Sequence, residues 1–282
     1  MGFFVARLPV LCENDSMSEL IFLKLGGSLI TDKTIPFTPR LDKMAVLAAE
    51  IARILQTRQD LSLVFGHGSG SFGHTPAKIH GTRQGVATPE QWIGFTEVWY
   101  QASVLNRFMM DALHAAGIPG LALAPVASVM ARDGRVAHWD LGPLHSAMNN
   151  GMVPVIHGDV VFDEVLGGTI LSTEDLFGHL ARQLRPQRIL LAGLEEAVWA
   201  DFPARKKKVE YITPESYAQI EKGMGASLEA DVTGGMESKV KQMLALVREI
   251  PGLTVQIFSG ERPGNLEKAL QGKNVGTVIS GT

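Results

Sequence analysis

The chain has 282 residues, of which 45% are hydrophobic and 20% are charged, and its formal net charge at pH 7 is −3. This composition is typical of a globular protein with a sizeable core, built as one large α/β domain or two small ones. The nearly balanced charge disfavours a broad electrostatic surface for nucleic acid or an anionic membrane, and no apolar run is long enough to cross a bilayer.

The cysteine count indicates the cellular compartment, and the first residues indicate where the folded domain begins. A single cysteine, Cys12, cannot form an internal disulfide, which favours a reducing cytoplasm. The apolar start of the chain is interrupted by an arginine and a proline and lacks a convincing cleavage site, so we expect no signal peptide. We predict that residues 1–19 are a flexible extension, of which 1–16 derive from a start codon upstream of Met17. One domain is then expected over residues 20–282.

Short runs rich in Leu, Ile and Val predict strands that are covered on both faces. These runs are Leu20–Leu25, Leu61–Phe65, Gly120–Ala124, Val153–His157, Arg188–Ala192, Thr254–Ser259 and Gly276–Ser280. Helical patterns lie between them, most clearly at Leu41–Ile54, Phe95–Ala116 and Met236–Val247. The alternation of strands and helices predicts an α/β fold with an open, mostly parallel sheet between helical layers.

A glycine-rich loop, GSGSFG at residues 68–73, follows the second predicted strand and has the spacing G-x-G-x-x-G. A dinucleotide-binding loop requires a helix that begins inside the glycine run and an acidic residue about twenty positions later. Pro76 and Gly81 disfavour a helix here, and the nearest acidic residue, Glu90, belongs to the first turn of a later helix. We therefore interpret the loop as an anion-binding turn; a tight turn with a surface histidine, His74, is the alternative.

Lysines accompany glycines at two other places in the chain. Lys24 lies inside the first apolar strand, just before Gly26-Gly27-Ser28, and its burial is unfavourable unless an anion faces it. Lys33 follows in a polar turn. Gly234-Gly235 open a predicted helix that carries Lys239 near its start, where the helix dipole and the lysine both favour an anion. Three lysines beside three glycine-rich turns indicate a polyphosphate site and phosphoryl transfer.

Five motifs in this order, LKLGGS, HGSGSFGH, HGDVVFD, LSTED and DVTGGMESK, resemble the amino acid kinase superfamily and, within it, the isopentenyl phosphate kinases. The resemblance extends from Leu20 to Thr282. It implies a three-layer αβα sandwich around a central, largely parallel sheet, with an acceptor-binding lobe over about 20–185 and a nucleotide-binding lobe over about 186–282. The implied reaction uses ATP and Mg²⁺ to convert isopentenyl phosphate to isopentenyl diphosphate in a mevalonate-type isoprenoid route, in a cytoplasmic homodimer.

The resemblance implies catalytic roles for Lys24, Lys33, His74, Asp175 and Lys239. Lys24 matches a lysine along the ATP phosphates, and Lys33 one that stabilises the transferred phosphoryl group. His74 matches a ligand of the acceptor phosphate, because an imidazole can donate to an anion. Asp175 matches an acidic residue that orients the lysines; an ordinary helix cap at Ser172 or Thr173 is a compatible interpretation.

The resemblance also implies two sets of binding residues and no metal-binding side chain. ATP is expected at Lys24, Gly26, Gly27, Ser28, Gly70, Gly193, Gly234, Gly235 and Lys239. The acceptor is expected at Ser69, Gly70, His74, Asp159 and Thr173. His67 and His157 are interpreted as structural. One or two of the apolar residues Trp92, Ile93, Phe95, Val98 and Trp99 are expected to line a pocket for a short, five-carbon tail.

One segment, 191–203, departs from the family pattern, since Gly193 stands where an aspartate is expected and Glu195-Glu196 follow. The nucleotide preference is therefore left open. Two alternative functions remain on the sequence: a fosfomycin-type phosphonate kinase of the same fold, and a non-catalytic nucleotide- or oxyanion-binding relative. An NAD-binding oxidoreductase is supported only by the glycine spacing.

Overall fold

The computed structural model describes residues 18–220 and 235–282. Within these ranges, the strands form a central sheet of eight strands, a small sheet of four strands and a two-stranded ribbon. The strands in chain order are β1 (Glu19–Leu25), β2 (Leu61–His67), β3 (Gly120–Ala122), β4 (Val129–Arg132), β5 (Arg135–Trp139), β6 (Val153–His157), β7 (Asp159–Asp163), β8 (Gly167–Leu171), β9 (Arg188–Gly193), β10 (Val198–Trp199), β11 (Lys208–Val209), β12 (Tyr211–Ile212), β13 (Thr254–Ser259) and β14 (Thr277–Ser280).

Helices connect these strands throughout the part of the chain that the structure describes. In chain order they are α1 (Gly27–Ile30), α2 (Leu41–Thr57), α3 (Gly70–His80), α4 (Pro89–Ala115), α5 (Pro125–Ser128), α6 (Gly142–Asn149), α7 (Thr173–Leu184), α8 (Pro214–Ile220), α9 (Gly235–Glu249) and α10 (Asn265–Leu270). A short 3₁₀ turn, Thr82–Gln84, joins α3 to α4. None of the described helices is long and apolar enough to span a membrane.

The central sheet has the strand order β12-β14-β13-β9-β1-β2-β6-β3. The six strands from β13 to β3 pair in parallel, and β14 pairs antiparallel with β13. Right-handed helical crossovers between parallel strands place helices on both faces of such a sheet. The predicted α/β fold with a largely parallel sheet is therefore confirmed.

Two apolar cores, one on each face of the central sheet, produce the three layers. Side chains alternate along a strand, so Ile21 and Leu23 of β1 pack into the core under α2, α4 and α10, whereas Phe22 packs into the core under α6, α7 and α9. A third, smaller cluster around Phe95 and Val98 lies between α4 and the small sheet. These cores form the helix–sheet–helix sandwich that the family resemblance implied.

The helix α3 corrects one expectation. Pro76 and Gly81 were expected to prevent a helix after the glycine loop, yet α3 begins at Gly70, inside the glycine run, and contains Pro76. Burial of Phe72 and Ala77 stabilises it. Tertiary packing of this kind outweighs a weak intrinsic propensity.

The proposed division into two lobes stays a prediction, because nothing in the structure tests it. The proposed extension also stays a prediction, since residues 1–17 lie outside the described residues.

Candidate active site

The carboxyl ends of neighbouring parallel strands meet at one edge of the central sheet. Leu25, the last residue of β1, pairs with His67 of β2 and Ala192 of β9, and His67 pairs with His157 of β6. A cavity of about 490 Å³ opens beside these strand ends. Open α/β sheets bind ligands in such a crevice, outside the carboxyl ends of their strands.

The cavity brings together most of the residues that the sequence singled out. Its lining includes Lys24, Gly26, Gly27, Ser28, Lys33, Ser69, Gly70, His74, Asp159, Thr173 and Lys239. Asp175, Gly193 and Gly235 are described but do not line it. Gly234 lies outside the described residues. Segments far apart in the chain, from β1 to α9, therefore converge on one volume.

Two glycine-rich loops, after β1 and after β2, touch backbone to backbone at the cavity. A Cβ on Gly27 would lie 2.2 Å from the backbone nitrogen of Gly70, and a Cβ on Gly68 would lie 2.9 Å from that of Gly27. Thr31 links the loops, because its hydroxyl donates to the Gly27 carbonyl at 2.8 Å and accepts from the Ser71 N–H at 3.1 Å. Only glycine permits this approach, which exposes backbone N–H groups to an anion.

A buried ion cluster lies beside these loops. Lys24 is on the same face of β1 as Phe22, facing α7, and its ammonium group contacts the carboxylate of Glu174 in the first turn of that helix. The ammonium group of Lys239 on α9 lies 4.0 Å from the same carboxylate. Burial alone would raise the pKa of Glu174, but the charges of Lys24 and Lys239 outweigh it and hold that pKa at about 2. Glu174 is therefore ionised at neutral pH and fixes two lysines at the cavity wall.

Glu174 is a site residue that the sequence analysis did not identify, whereas Asp175 forms the helix cap that was given as a compatible interpretation. The Asp175 carboxylate accepts from the backbone and hydroxyl of Ser172 at 2.9 and 2.7 Å, completing a capping box at the start of α7. It also accepts from Gln242 of α9 at 3.2 Å. Glu174, one residue earlier, is the residue that contacts Lys24 and lies near Lys239, and the catalytic role of Asp175 stays a prediction.

Another part of the cavity wall carries histidine, hydroxyl and apolar groups. His74 lies in the second turn of α3, and Thr173 is the first residue of α7. The Thr173 hydroxyl donates to the His67 carbonyl at 2.7 Å, which ties α7 to the end of β2. Ala77, Val98 and Ile170 add apolar surface to the same cavity. This wall can hold a ligand that is polar at one end and apolar at the other.

Of the five apolar residues expected to line a tail pocket, Val98 lines the cavity. Trp92 and Phe95 instead pack on Phe162, with ring centroids 5.9 and 5.4 Å from its ring. Ile93 and Trp99 are exposed. The expectation that one or two of the five would reach the cavity therefore agrees with the geometry.

Three titratable side chains are buried behind the glycine loops. The rings of His67 and His157 stack at 5.5 Å, and Nε2 of His157 lies 3.6 Å from Oδ2 of Asp159. Neither ring nitrogen of His157 nor Oδ2 of Asp159 makes a hydrogen bond. Burial lowers the pKa of His157 to about 3 and raises the pKa of Asp159 to about 7. Burial therefore favours the neutral form of both groups.

Metal-ligating side chains are sparse at the site. In residues 18–220 and 235–282 there is no group of three or more His, Cys, Asp or Glu side chains suited to a metal ion. Among the residues that the structure describes, Asp159 and Glu174 are the acidic ones that line the cavity. A divalent cation here would take most of its ligands from a phosphorylated substrate and water, as Mg²⁺ commonly does.

The comparisons with known proteins agree on one family. The model of the amino acid kinase family matches residues 19–259. The isopentenyl phosphate kinase of Methanothermobacter thermautotrophicus is 33% identical over 93% of this chain and 99% of that protein. The isopentenyl phosphate kinase of Haloferax volcanii is 34% identical over 93% of this chain and 99% of that protein.

A solved structure leads to the same group of proteins. X-ray structures of isopentenyl phosphate kinase superpose with a TM-score of 0.78 at 31% identity, covering 93% of this chain and all of the solved chain. The shared features therefore extend over nearly the whole length of each relative. This chain belongs to the amino acid kinase family, in the group of the isopentenyl phosphate kinases.

Proposed function

We propose that this enzyme transfers the γ-phosphoryl group of ATP to isopentenyl phosphate, giving isopentenyl diphosphate and ADP. The observation that carries the proposal is the cluster of buried Lys24 and Glu174 with the half-buried Lys239, in the same cavity as two glycine loops and His74. Cations and backbone N–H groups around one volume are what phosphoryl transfer requires, because the reaction depends on positioning and charge stabilisation. The named activity of the relatives supplies the acceptor.

The ATP phosphates are assigned to the side of the cavity that carries Lys24, Gly26–Ser28 and Lys239. Lys33, on the turn after α1, is assigned to the phosphoryl group that is being transferred. The ammonium groups oppose the negative charge that spreads over the equatorial oxygens of that group. Glu174 orients two of the lysines and lowers the net charge of the cluster, so that the site holds them together before ATP binds.

The acceptor phosphate is assigned to Ser69, Gly70, His74 and Thr173. One of its oxygens attacks the γ-phosphorus, and the bond from that phosphorus to the β–γ bridging oxygen breaks, so ADP leaves with the electron pair. A phosphate monoester is largely dianionic at neutral pH, since its second pKa is about 6. The attacking oxygen therefore needs no general base, and the protein has only to align it. The isopentenyl tail lies along Ala77, Val98 and Ile170.

We propose that Mg²⁺ accompanies ATP. When bound, the ion would neutralise part of the charge of the phosphate groups. Among the described residues, the carboxylates that could contribute are those of Asp159 and Glu174, and Glu174 already contacts a lysine. We further propose a cytoplasmic homodimer that acts in a mevalonate-type isoprenoid route.

The first experiment measures ADP release from ATP and Mg²⁺ with isopentenyl phosphate and fosfomycin as parallel acceptors. The expected result is turnover with isopentenyl phosphate and at most slow turnover with fosfomycin. A Lys239→Met variant controls for contaminating kinases, because it should lose the signal. Turnover with fosfomycin alone would replace the acceptor but keep the mechanism. No turnover with either acceptor would favour a non-catalytic, oxyanion-binding role.

A further inference from the structure

Arg83 lines the cavity but belongs to no motif that the sequence analysis singled out. It lies in the 3₁₀ turn between α3 and α4. This turn is fixed against the small sheet, since the Arg83 carbonyl accepts from the Thr169 hydroxyl at 3.0 Å and the Val86 N–H donates to the Leu166 carbonyl at 2.8 Å. The backbone of Arg83 is therefore anchored, while its side chain extends along the cavity wall.

The guanidinium group of Arg83 has few protein partners for its five N–H donors. Its Nη1 atom is buried and makes no hydrogen bond. Its Nη2 atom lies 3.6 Å from Oδ2 of Asp175, which is too long for a hydrogen bond. Asp175 already accepts hydrogen bonds from Ser172 and Gln242. Leaving the buried Nη1 donor without a partner is costly, so the surroundings of Arg83 favour an additional acceptor at that atom.

The position of Arg83 indicates which ligand would supply that acceptor. The 3₁₀ turn follows α3, which carries His74, and it packs against β8, which carries Ile170. Both residues line the wall that we assign to the acceptor. A planar guanidinium group can give two parallel hydrogen bonds to a phosphate, a geometry that a lysine cannot reproduce. The ATP side already has its own cations in Lys24 and Lys239.

We propose that Arg83 is a ligand of the acceptor's phosphate group and selects acceptors with a doubly charged anionic head. The inference rests on the proposed function for the identity of the acceptor. Arg83 exchanges its loose ion pair with Asp175 for direct hydrogen bonds to the phosphate, which places the acceptor's oxygens opposite the γ-phosphoryl group. A residue with this role affects acceptor binding and leaves ATP binding nearly unchanged.

The test compares Arg83→Gln, Arg83→Lys and the control Arg182→Gln. Arg182 is also an ion-paired arginine, bound to Glu249 from the exposed face of α7, and it does not line the cavity. We expect Arg83→Gln to raise the KM for isopentenyl phosphate about tenfold or more, with the KM for ATP changed less than about twofold. Arg83→Lys should recover part of the loss, because lysine restores the positive charge but cannot give two parallel hydrogen bonds to a phosphate. Arg182→Gln should match the wild type.

A binding measurement separates this inference from the proposed function. Isopentenyl phosphate and inorganic phosphate are titrated calorimetrically into the wild type and Arg83→Gln, with excess AMP-PNP occupying the nucleotide side. Weaker binding of both anions to the variant supports the inference. If the wild type fails to turn over isopentenyl phosphate, the proposed function is wrong, and the phosphate titration still decides the role of Arg83.

A purely structural role has a different signature. If Arg83 only tethers the 3₁₀ turn to α7, Arg83→Gln lowers the melting temperature and weakens both substrates alike, and the inference is overturned. Unchanged acceptor KM and unchanged anion affinity would overturn it equally. The loose, partly exposed pair with Asp175 predicts a melting temperature within about 4 °C of the wild type.

Discussion

The two sides of the cavity differ in whether their buried polar groups have partners. On the side of Lys24 and Lys239, each buried charge meets an opposite charge, through Glu174. On the side of His157 and Asp159, both ring nitrogens of His157 and Oδ2 of Asp159 are buried without a hydrogen-bond partner. The first side stays ionised, with the pKa of Glu174 held at about 2. The second side is driven towards neutrality, with the pKa of Asp159 raised to about 7.

This difference follows from the cost of burying charge. A buried ion is tolerated when an opposite charge compensates for its lost hydration, and otherwise the group changes its protonation state. The paired side therefore retains lysines that can face the phosphates of ATP. The neutral side suits an acceptor whose tail is apolar. The comparison predicts that substitutions on the paired side act through charge, and those on the other side through protonation or local contacts.

The largest expected effect is on stability, when one member of the paired side is removed. Lys24→Met leaves the carboxylate of Glu174 buried with only the more distant Lys239 nearby, so the free energy of unfolding should fall by about 3 kcal/mol or more at pH 7. The double variant Lys24→Met/Glu174→Gln should recover much of this loss, because no buried charge is left without a partner. Urea denaturation at pH 7 measures both.

The exposed pair of Lys241 and Glu237, at 2.6 Å on the helix α9 that also carries Lys239, is the matched control. Lys241→Met should cost no more than about 1 kcal/mol, as exposed ion pairs contribute little. A double variant as unstable as Lys24→Met alone would contradict the account of a compensated buried charge.

The next effect is on turnover. Lys33→Met and Lys239→Met should each lower kcat about 10²-fold or more. Each variant lacks a positive charge that stabilises the negative charge developing in the transition state. Steady-state ADP release with saturating isopentenyl phosphate measures the loss. Lys241→Met, two residues from Lys239 on α9, should keep wild-type turnover. Unchanged kcat in both site variants would rule out this mechanism.

The fold was predictable where burial imposes a uniform pattern. Strands of the central sheet are covered on both faces, so they read as continuous apolar runs, and all seven predicted runs are strands. The small sheet was missed, because β5 (Arg135–Trp139) is largely exposed, and the buried strands β7 and β8 contain only the short apolar runs VVF and IL. The helix α3 was missed for another reason. Its sequence has poor helix propensity, and tertiary contacts of Phe72 stabilise it.

The site was predictable where chemistry and spacing coincide, as at Lys24 and the glycine loops. At the start of α7, the sequence did not show which acidic residue faces the lysines. Ser172 and Asp175 fit the S-x-x-D capping signature, which engages Asp175 with the helix end. Successive helical residues differ in direction by about 100°, so the neighbour Glu174 faces elsewhere, towards Lys24. Arg83 carried no local signal, since its approach to the cavity depends on packing between distant segments.

A smaller effect is expected at His74, on the acceptor side. His74→Ala should raise the KM for isopentenyl phosphate about tenfold, since it removes one hydrogen bond to a charged group, and should change the KM for ATP much less. Initial rates over a grid of both substrates separate the two constants. His74→Gln, which keeps a donor, should lie between the variant and the wild type. An equal loss for ATP would mean that His74 orders the loop for both substrates.

The smallest effect is on the pH dependence of stability, and it tests the neutral side directly. Between about pH 4 and 7, folding retains the proton of Asp159 that the unfolded chain releases, so this group makes stability fall as pH rises. Between about pH 3 and 6.5, folding keeps His157 neutral where the unfolded chain binds a proton, so this group makes stability rise. The two slopes nearly cancel in the wild type.

Asp159→Asn removes the contribution of Asp159 to the pH dependence of stability and leaves that of His157. Its free energy of unfolding should therefore rise between pH 5 and 6 by about 1 kcal/mol relative to the wild type, close to the limit of ~1.4 kcal/mol per pH unit for one proton. Urea denaturation at both pH values measures the change, and Asp111→Asn, in an exposed pair with Arg107, is the control that should keep the wild-type slope. Parallel pH profiles for Asp159→Asn and the wild type would mean that Asp159 is ionised in the folded protein over this range, as it is in the unfolded chain. In that case Asp159 would not be driven towards neutrality, and the contrast between the two sides would not hold.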